Sequence, residues 1–396
     1  MQPATLILKK DQERRLLAGH DWVYSNEIDT EATPFKTLEP GHPVEVLARN
    51  GRWLGYGYVN PRSLIAARLV SRRREQPLSS ALLVERIRAA LHLREGLYAG
   101  RCYRLVHGEG DALPGLVADR YDDLLVVQLT TAGIERARGD VLAALEQVVR
   151  PTRVLLRNDT PVREQEGLEQ GVEWVLGDDP GEIEISEGTL RFRIAPGEGQ
   201  KTGWFFDQTE NRLALARFIG QGPVLDCCCY RGAWGLHAAA HGAGSVTFVD
   251  SAASALAAVA ANAELNGLGE RIVTRQGDAF ETLKALRDEG SRFETVILDP
   301  PAFIKRRRDE AEGQRAYQRL NRLGLEVLAP GGILVTSSCS FHLGRDRFVQ
   351  TVQQAARRAG RSLRLLQVGG QGPDHPVHPA MPETSYLKTL VLRALD

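Results

Sequence analysis

The chain has 396 residues, 43% hydrophobic and 25% charged, a composition ordinary for a globular protein that leaves no part reading as disordered. That length exceeds what one core usually supports, so two or three domains are expected. Fifty Lys+Arg balance 50 Asp+Glu, which argues against a protein held to nucleic acid by net charge alone, and no run approaches the roughly 20 apolar residues of a membrane span.

Counting charge by segment changes the picture: residues 1–75 carry 12 Lys+Arg against 9 Asp+Glu, residues 76–190 carry 12 against 20, and residues 191–396 carry 26 against 21. Two mildly basic ends flank an acidic middle. The N-terminal stretch from Met1 to Lys10 has neither a long apolar run nor a small-residue cleavage site, so a cytoplasmic location is expected. Val44 to Leu47, Trp53 to Val59 and Ile65 to Val70 read as short strands punctuated by Asn50-Gly51 and Asn60-Pro61 turns, the pattern of a barrel or compact sheet. Gly19-His-Asp-Trp-Val-Tyr24, Pro40-Gly41, Gly55-Tyr-Gly57 and Asn60-Pro-Arg-Ser63 together resemble a PUA domain, a resemblance that implies RNA binding.

In the middle segment, Ser80 to Arg94 has apolar residues at helical intervals, and Leu124 to Leu129, Arg138 to Val149 and Arg153 to Arg157 give strand, helix and strand. An α+β insert with no catalytic constellation is expected there, with Asp119, Asp122 and Asp123 as solvated turn carboxylates. From Pro223 the strand and helix signals alternate, and four strands finish near Asp226, Asp250, Asp278 and Asp299. This is the pattern of a doubly wound α/β sheet with carboxylates along one edge, where ligands bind. The first turn, Asp226-Cys-Cys-Cys-Tyr-Arg-Gly-Ala-Trp-Gly235, lacks the G-x-G-x-x-G spacing that holds a pyrophosphate, so a cofactor without phosphates fits better, and S-adenosylmethionine is the obvious one. Gly232 would let the backbone pass beneath the ligand, Asp250 would accept ribose hydroxyls and Asp278 an adenine amine.

The five cysteines make an odd count with no CxxC spacing, which speaks against a disulfide framework and against zinc. Cys227, Cys228 and Cys229 are expected to pack rather than react. Cys339, in Thr336-Ser-Ser-Cys-Ser-Phe341, follows one apolar strand as Asp299-Pro-Pro-Ala-Phe303 follows another, so thiol and acid are expected to face one pocket from neighbouring strands. Lys305-Arg-Arg-Arg308, Arg72-Arg-Arg74 and the arginines from Arg345 to Arg364 are candidate phosphate contacts, with a solvated surface as the alternative. Trp204 either lines the cofactor pocket or staples the helix beginning at Thr209. His375 and His378, beside Pro376 and Pro379, read as a rigid surface turn rather than a metal site.

The chain resembles, over nearly its whole length, the bacterial family of ribosomal RNA large subunit methyltransferase I. The resemblance rests on Gly199-Gln-Lys-Thr-Gly-Trp-Phe-Phe-Asp-Gln208 with Asn211-Arg212, Val224-Leu-Asp226, Phe248-Val-Asp250, Asn262 to Asn266, Asp299-Pro-Pro-Ala-Phe303, Ser338-Cys-Ser340 and Asp374-His-Pro376. It implies an N-terminal PUA domain (1–75), a central α+β domain (76–190) and a C-terminal Rossmann-like class I methyltransferase domain (191–396), forming 5-methylcytosine in 23S ribosomal RNA or a large-subunit precursor. It further implies S-adenosyl-L-methionine held by Asp226, Gly232, Asp250 and Asp278, with Asp207, Gln208 and Arg212 in the segment beside it. A homodimer is compatible with the sequence.

In such an enzyme the Cys339 thiolate adds to carbon 6 of cytosine, Asp299 stabilises the charge at ring nitrogen 3, and Phe303 is a candidate stacking partner for the extruded base. The sequence departs from related enzymes at Ala302, where two-cysteine relatives carry the second thiol, and at Ala233, where a second glycine is common. Two readings of other classes stay open: an exocyclic-amine methyltransferase acting on RNA, and a non-catalytic RNA-binding assembly factor.

Overall fold

Short runs of β-branched and aromatic residues, broken by Gly and Asn turns, fold the start of the chain into a five-stranded sheet. In the computed structural model its strands are β1 (Ala4–Ile7), β2 (Trp22–Tyr24), β3 (His42–Leu47), β4 (Trp53–Val59) and β5 (Ile65–Ser71), with helix α1 (Arg14–Leu17) after β1. They run in the order β1-β3-β4-β5-β2. The structure describes residues 2–198 and 202–396, so Gly199, Gln200 and Lys201 of the sequence motif lie outside the described residues. Two compact units emerge: one of the described residues up to 183 with those of 194–206 and 373–384, the other of 184–193, 207–372 and 385–396.

The first unit continues with α2 (Ser80–Leu97), capped by Ser79, whose side chain accepts the Leu82 N–H at 3.4 Å. A second sheet follows, of β6 (Cys102–His107), β7 (Leu116–Tyr121), β8 (Leu124–Leu129), β9 (Arg153–Arg157) and β10 (Val172–Leu176) in consecutive order. Helices α3 (Ala132–Arg136), α4 (Arg138–Val149) and α5 (Pro161–Glu166) connect its later strands. β8 and β9 pair in parallel, which a helical crossover allows and a hairpin does not. Each sheet covers its own apolar core. The Tyr58 hydroxyl, donating to Pro114 O at 2.8 Å, and the Arg68–Glu166 pair at 3.0 Å tie the two cores together.

Two expectations are corrected in this unit. Asp119 is not a solvated turn carboxylate: it is fully buried in β7, opposite Arg104 of β6, whose Nε donates to Oδ1 at 2.6 Å, and it also accepts from the Thr202 hydroxyl. An arginine directly across the ladder makes burial of the acid tolerable. Nor does His375 sit on a surface turn. It is buried, with Nδ1 2.8 Å from Asp374 Oδ1 and its ring 4.9 Å from that of His107. Asp374 in turn accepts from the Arg104 N–H at 2.9 Å and, through its carbonyl, from Arg94 at 2.6 Å. Asp122 and Asp123 are exposed, as turn carboxylates should be.

In the second unit a ribbon of β11 (Ile183–Glu187) and β12 (Leu190–Ile194) leads into α6 (Thr209–Leu215). The main sheet then alternates β13 (Pro223–Cys227), α7 (Ala233–Ala240), β14 (Ser245–Asp250), α8 (Ala253–Leu265), β15 (Ile272–Gln276), α9 (Ala279–Asp288), β16 (Phe293–Leu298), α10 (Glu310–Glu326) and β17 (Leu328–Ser338). After α11 (Arg345–Arg358) come β18 (Leu363–Gly369) and β19 (Lys388–Ala394). The order is β15-β14-β13-β16-β17-β19-β18, with the first five parallel and β19 antiparallel to both its neighbours. Strand order reverses between β13 and β16, the position of the ligand crevice in an open parallel sheet. Among the described residues no helix is long and apolar enough to cross a membrane.

Candidate active site

The strand order sets the predicted acids side by side. Along the carboxyl edge of the second unit's sheet stand Asp278 after β15, Asp250 at the end of β14, Asp226 near the end of β13 and Asp299 after β16, with Cys339 after the adjoining β17. Asp226 and Asp299 therefore flank the point where the order reverses.

The turn after β13 is drawn tightly against β14. Cys228 and Cys229 donate their N–H groups to Val249 O at 2.9 and 3.2 Å, and Asp250 Oδ2 accepts the Tyr230 N–H at 3.0 Å. Three of its residues have left-handed backbone: Cys228 (φ 62°), Tyr230 (φ 51°) and Gly232 (φ 81°). Only the glycine adopts this without cost, and such strain gathers at ligand sites. A Cβ at Gly232 would come within 3.0 Å of Val259 and 3.2 Å of the Phe248 ring. Cys227 and Cys229 are buried, and burial pushes all three adjacent thiols up, Cys228 to about 12, so they pack as expected.

Asp226 is wholly buried. Its Oδ2 accepts the Gly235 N–H at 2.9 Å, while Oδ1 has no hydrogen-bond partner among the described residues. Burial, with Asp299 and Asp250 nearby, pushes its carboxyl up to about 8. Such an acid invites a cation, and the α-ammonium of a methionine group supplies one. Asp250 Oδ1 accepts the Ala252 N–H at 3.0 Å, and lone pairs remain for ribose hydroxyls. Asp278 is the N-cap of α9: Oδ1 accepts from Phe280 and Glu281 N–H at 2.9 and 3.2 Å, leaving Oδ2 for an adenine amine. These residues fit S-adenosylmethionine, which supplies a methyl group on a sulfonium centre when bound.

Asp299 is held by Gln208, expected beside the cofactor, and by Trp234, which sequence reading left without a role. Gln208 Nε2 reaches both its oxygens at 3.1 Å and Trp234 Nε1 reaches Oδ2 at 3.0 Å. Gln208 is itself oriented, its Oε1 accepting from Asn211 at 2.7 Å and from Thr389 at 3.3 Å. Gln208 thus serves the acid. Burial raises the Asp299 carboxyl against the opposing effect of the Trp234 N–H, and Asp207 raises it further. Asp207 accepts the Tyr386 hydroxyl at 2.6 Å and, through its carbonyl, the Gly372 N–H at 3.1 Å.

Cys339 is half-buried at the end of β17. Ser340 fixes its turn: the Ser340 hydroxyl accepts the Ile304 N–H at 3.1 Å and lies 3.0 Å from the Tyr317 hydroxyl. The loop carrying Asp299 is thereby fastened to the loop carrying Cys339. Phe303 packs against Tyr317 and Phe280, with ring centroids 4.7 and 6.0 Å away. Lys305, Arg306 and Arg307 follow, all exposed.

Arg212 lies deeper. It pairs with Glu187, its Nε donating to Oε1 at 2.6 Å, and His237 Nε2 lies 3.1 Å from the same oxygen. Burial pushes Glu187 up, but Arg212 and His237 outweigh it and hold the carboxyl below the usual range. Arg212→Met removes the bidentate cation from a buried Glu187 that keeps only His237 and the Thr209 hydroxyl, and is expected to destabilise the second unit by about 3–5 kcal/mol, read as a fall in melting temperature. The double variant with Glu187→Gln should recover part of that loss.

The comparisons with known proteins agree with this architecture. A family model for S-adenosylmethionine-dependent methyltransferases matches residues 103–393 and one for a PUA-like domain matches residues 6–72. The fold and the acid-lined edge are those of the S-adenosylmethionine-dependent methyltransferase class. Ribosomal RNA large subunit methyltransferase I of Aeromonas hydrophila is 35% identical, covering 99% of each chain, and that of Shewanella denitrificans is 37% identical, covering 98% of each. The chain belongs to the ribosomal RNA large subunit methyltransferase I family. The crystal structure of SMU.776 complexed with SAH, 21% identical, has the same fold, with a TM-score of 0.85 over 98% of this chain and 100% of that one.

Proposed function

We propose that this enzyme methylates carbon 5 of a cytosine in 23S ribosomal RNA, free or within a large-subunit precursor, in the cytoplasm. Its first 75 residues act as an RNA-binding PUA domain and residues 76–190 as a separate α+β domain, ahead of the catalytic domain that begins near residue 191. The observation that carries the reading is the half-buried thiol of Cys339 beside the strand of Asp299, on the edge whose acids suit the methyl donor.

Carbon 5 of cytosine is too weak a nucleophile to take a methyl group directly. The Cys339 thiolate bonds to carbon 6, and the π electrons of the 5,6 double bond shift into the ring. Asp299, raised by burial toward its protonated form, donates to ring nitrogen 3 as negative charge develops there. Carbon 5 then bonds the methyl carbon as the sulfonium–methyl bond breaks. Loss of the carbon 5 proton to solvent, return of the ring nitrogen 3 proton to Asp299 and cleavage of the sulfur–carbon 6 bond restore aromaticity and the thiolate. Asp226, Gly232, Asp250 and Asp278 hold the donor, Asp207 and Gln208 order the acid's side of the pocket, and Phe303 stacks on the extruded base, an extrusion costing a few kcal/mol.

The test is transfer of labelled methyl to 23S ribosomal RNA from cells lacking this protein, followed by nucleoside mass spectrometry. One 5-methylcytidine per RNA is expected. A label on an exocyclic amine, or no transfer, overturns the reading.

A further inference from the structure

A thiolate nucleophile needs a reason to be ionised, and the residues around Cys339 contain one. β17 and β19 pair antiparallel with Ser338 opposite Lys388. From that position the Lys388 side chain runs along the end of β17, and its Nζ donates to Ser340 O at 2.6 Å and to Tyr386 O at 2.8 Å. Cys339 lies between the residue opposite Lys388 and the residue whose carbonyl its ammonium grips. Lys388 is only 6% exposed, and among the described residues no carboxylate forms an ion pair with it. Two neutral carbonyls satisfy two of its three donors and leave its charge without a counter-ion, an expensive arrangement unless an anion is close.

We propose that Lys388 is a positioning residue for the reaction, holding Cys339 as a thiolate by ion pairing and fixing the turn that presents the sulfur. The proton leaving the thiol passes to the Lys388 amine or to solvent, giving thiolate and ammonium with no other reactant.

Burial lowers the Lys388 ammonium to about 8 even though the neighbouring Cys339 opposes the drop. Among the described residues two tyrosines also pack here, Tyr317 of α10, raised by burial and bonded to the Ser340 hydroxyl, and Tyr386, which donates to Asp207. Neither supplies a positive charge to the thiolate.

This proposal rests on Cys339 being the nucleophile, and its test reads the thiol without RNA. Iodoacetamide alkylation of Cys339 in the full-length protein is followed by peptide mass spectrometry from pH 5 to 10, for the wild type, Lys388→Arg and Lys388→Met. The wild-type rate should reach half its plateau at least one pH unit below the ordinary thiol value of about 8.5. Lys388→Met should shift that midpoint up by a unit or more, slowing alkylation at pH 7 about tenfold, and Lys388→Arg should keep it low. A wild-type midpoint at or above the ordinary value overturns the pairing even if Lys388→Met fails to fold, as does a midpoint shared by wild type and a folded Lys388→Met. If instead the pairing holds while Cys339→Ala still methylates carbon 5, the nucleophile assignment fails and the ion pair remains.

Discussion

Replacing Cys339 by Ala is expected to lower carbon methylation of ribosomal RNA by about 10⁴-fold or more while leaving S-adenosylmethionine affinity within a factor of about two. The size of the loss follows from the role. Without a bond at carbon 6 nothing makes carbon 5 nucleophilic, and the remaining contacts merely hold two unreactive partners together. Because Cys339 is half-buried and stands after β17 rather than in the apolar core, the substitution should change the melting temperature little. Cys339→Ser should lose nearly as much activity, since a hydroxyl is far less acidic than a thiol. RNA containing 5-fluorocytosine sharpens the test: fluorine at carbon 5 cannot leave as a proton, so after methyl transfer the sulfur–carbon 6 bond persists. A covalent complex visible by denaturing electrophoresis is expected with wild type and none with Cys339→Ala. An amine methyltransferase predicts the opposite, with transfer persisting in the alanine variant and no adduct forming.

The acids of the sheet edge were legible because central parallel strands are apolar on both faces, so a carboxylate directly after Val224-Leu225, Phe248-Val249 or Ile297-Leu298 stands out. Groups that act on those acids were not. Trp234 lies in α7 among Ala233, Gly235 and Leu236, where an indole looks like packing, and only the fold brings its N–H to Asp299. Lys388 begins a strand whose pairing with β17 is antiparallel and distant in sequence, and nothing local marks its ammonium as buried. Asp119 and His375 were misread for the same reason. The first is neutralised across a ladder by Arg104, and the second is held by Asp374, which reaches Arg104 over a separation of 270 residues. Local sequence reports polarity, whereas burial of a polar group depends on a partner that topology supplies.

Asp226→Asn is expected to separate stability from cofactor binding. In the native protein the Asp226 carboxyl stands at about 8, far above its ordinary 3.8, chiefly because burial disfavours the charged form. The folded state therefore binds more protons than the unfolded chain between about pH 4 and pH 8, and this residue's contribution to stability falls as pH rises through that window. Asparagine keeps an oxygen to accept the Gly235 N–H and removes the ionisation. The ligand-free variant should melt about 2 °C or more above wild type at pH 8, with the difference shrinking toward pH 4. Cofactor binding should move the other way. Loss of a charge-assisted hydrogen bond to the α-ammonium is worth about 1.5–3 kcal/mol, a weakening of roughly 10–150-fold. The pH dependence carries the sign of the argument. Wild-type affinity, measured by calorimetry, should climb as pH rises toward 8 and Asp226 ionises, then decline as the ligand's own α-amino group loses its proton, ordinarily near about 8. Asp226→Asn should retain only the declining limb. A wild-type affinity that is flat from pH 6 to 8, or an asparagine variant that binds as tightly, would mean that this buried acid does not receive the ammonium.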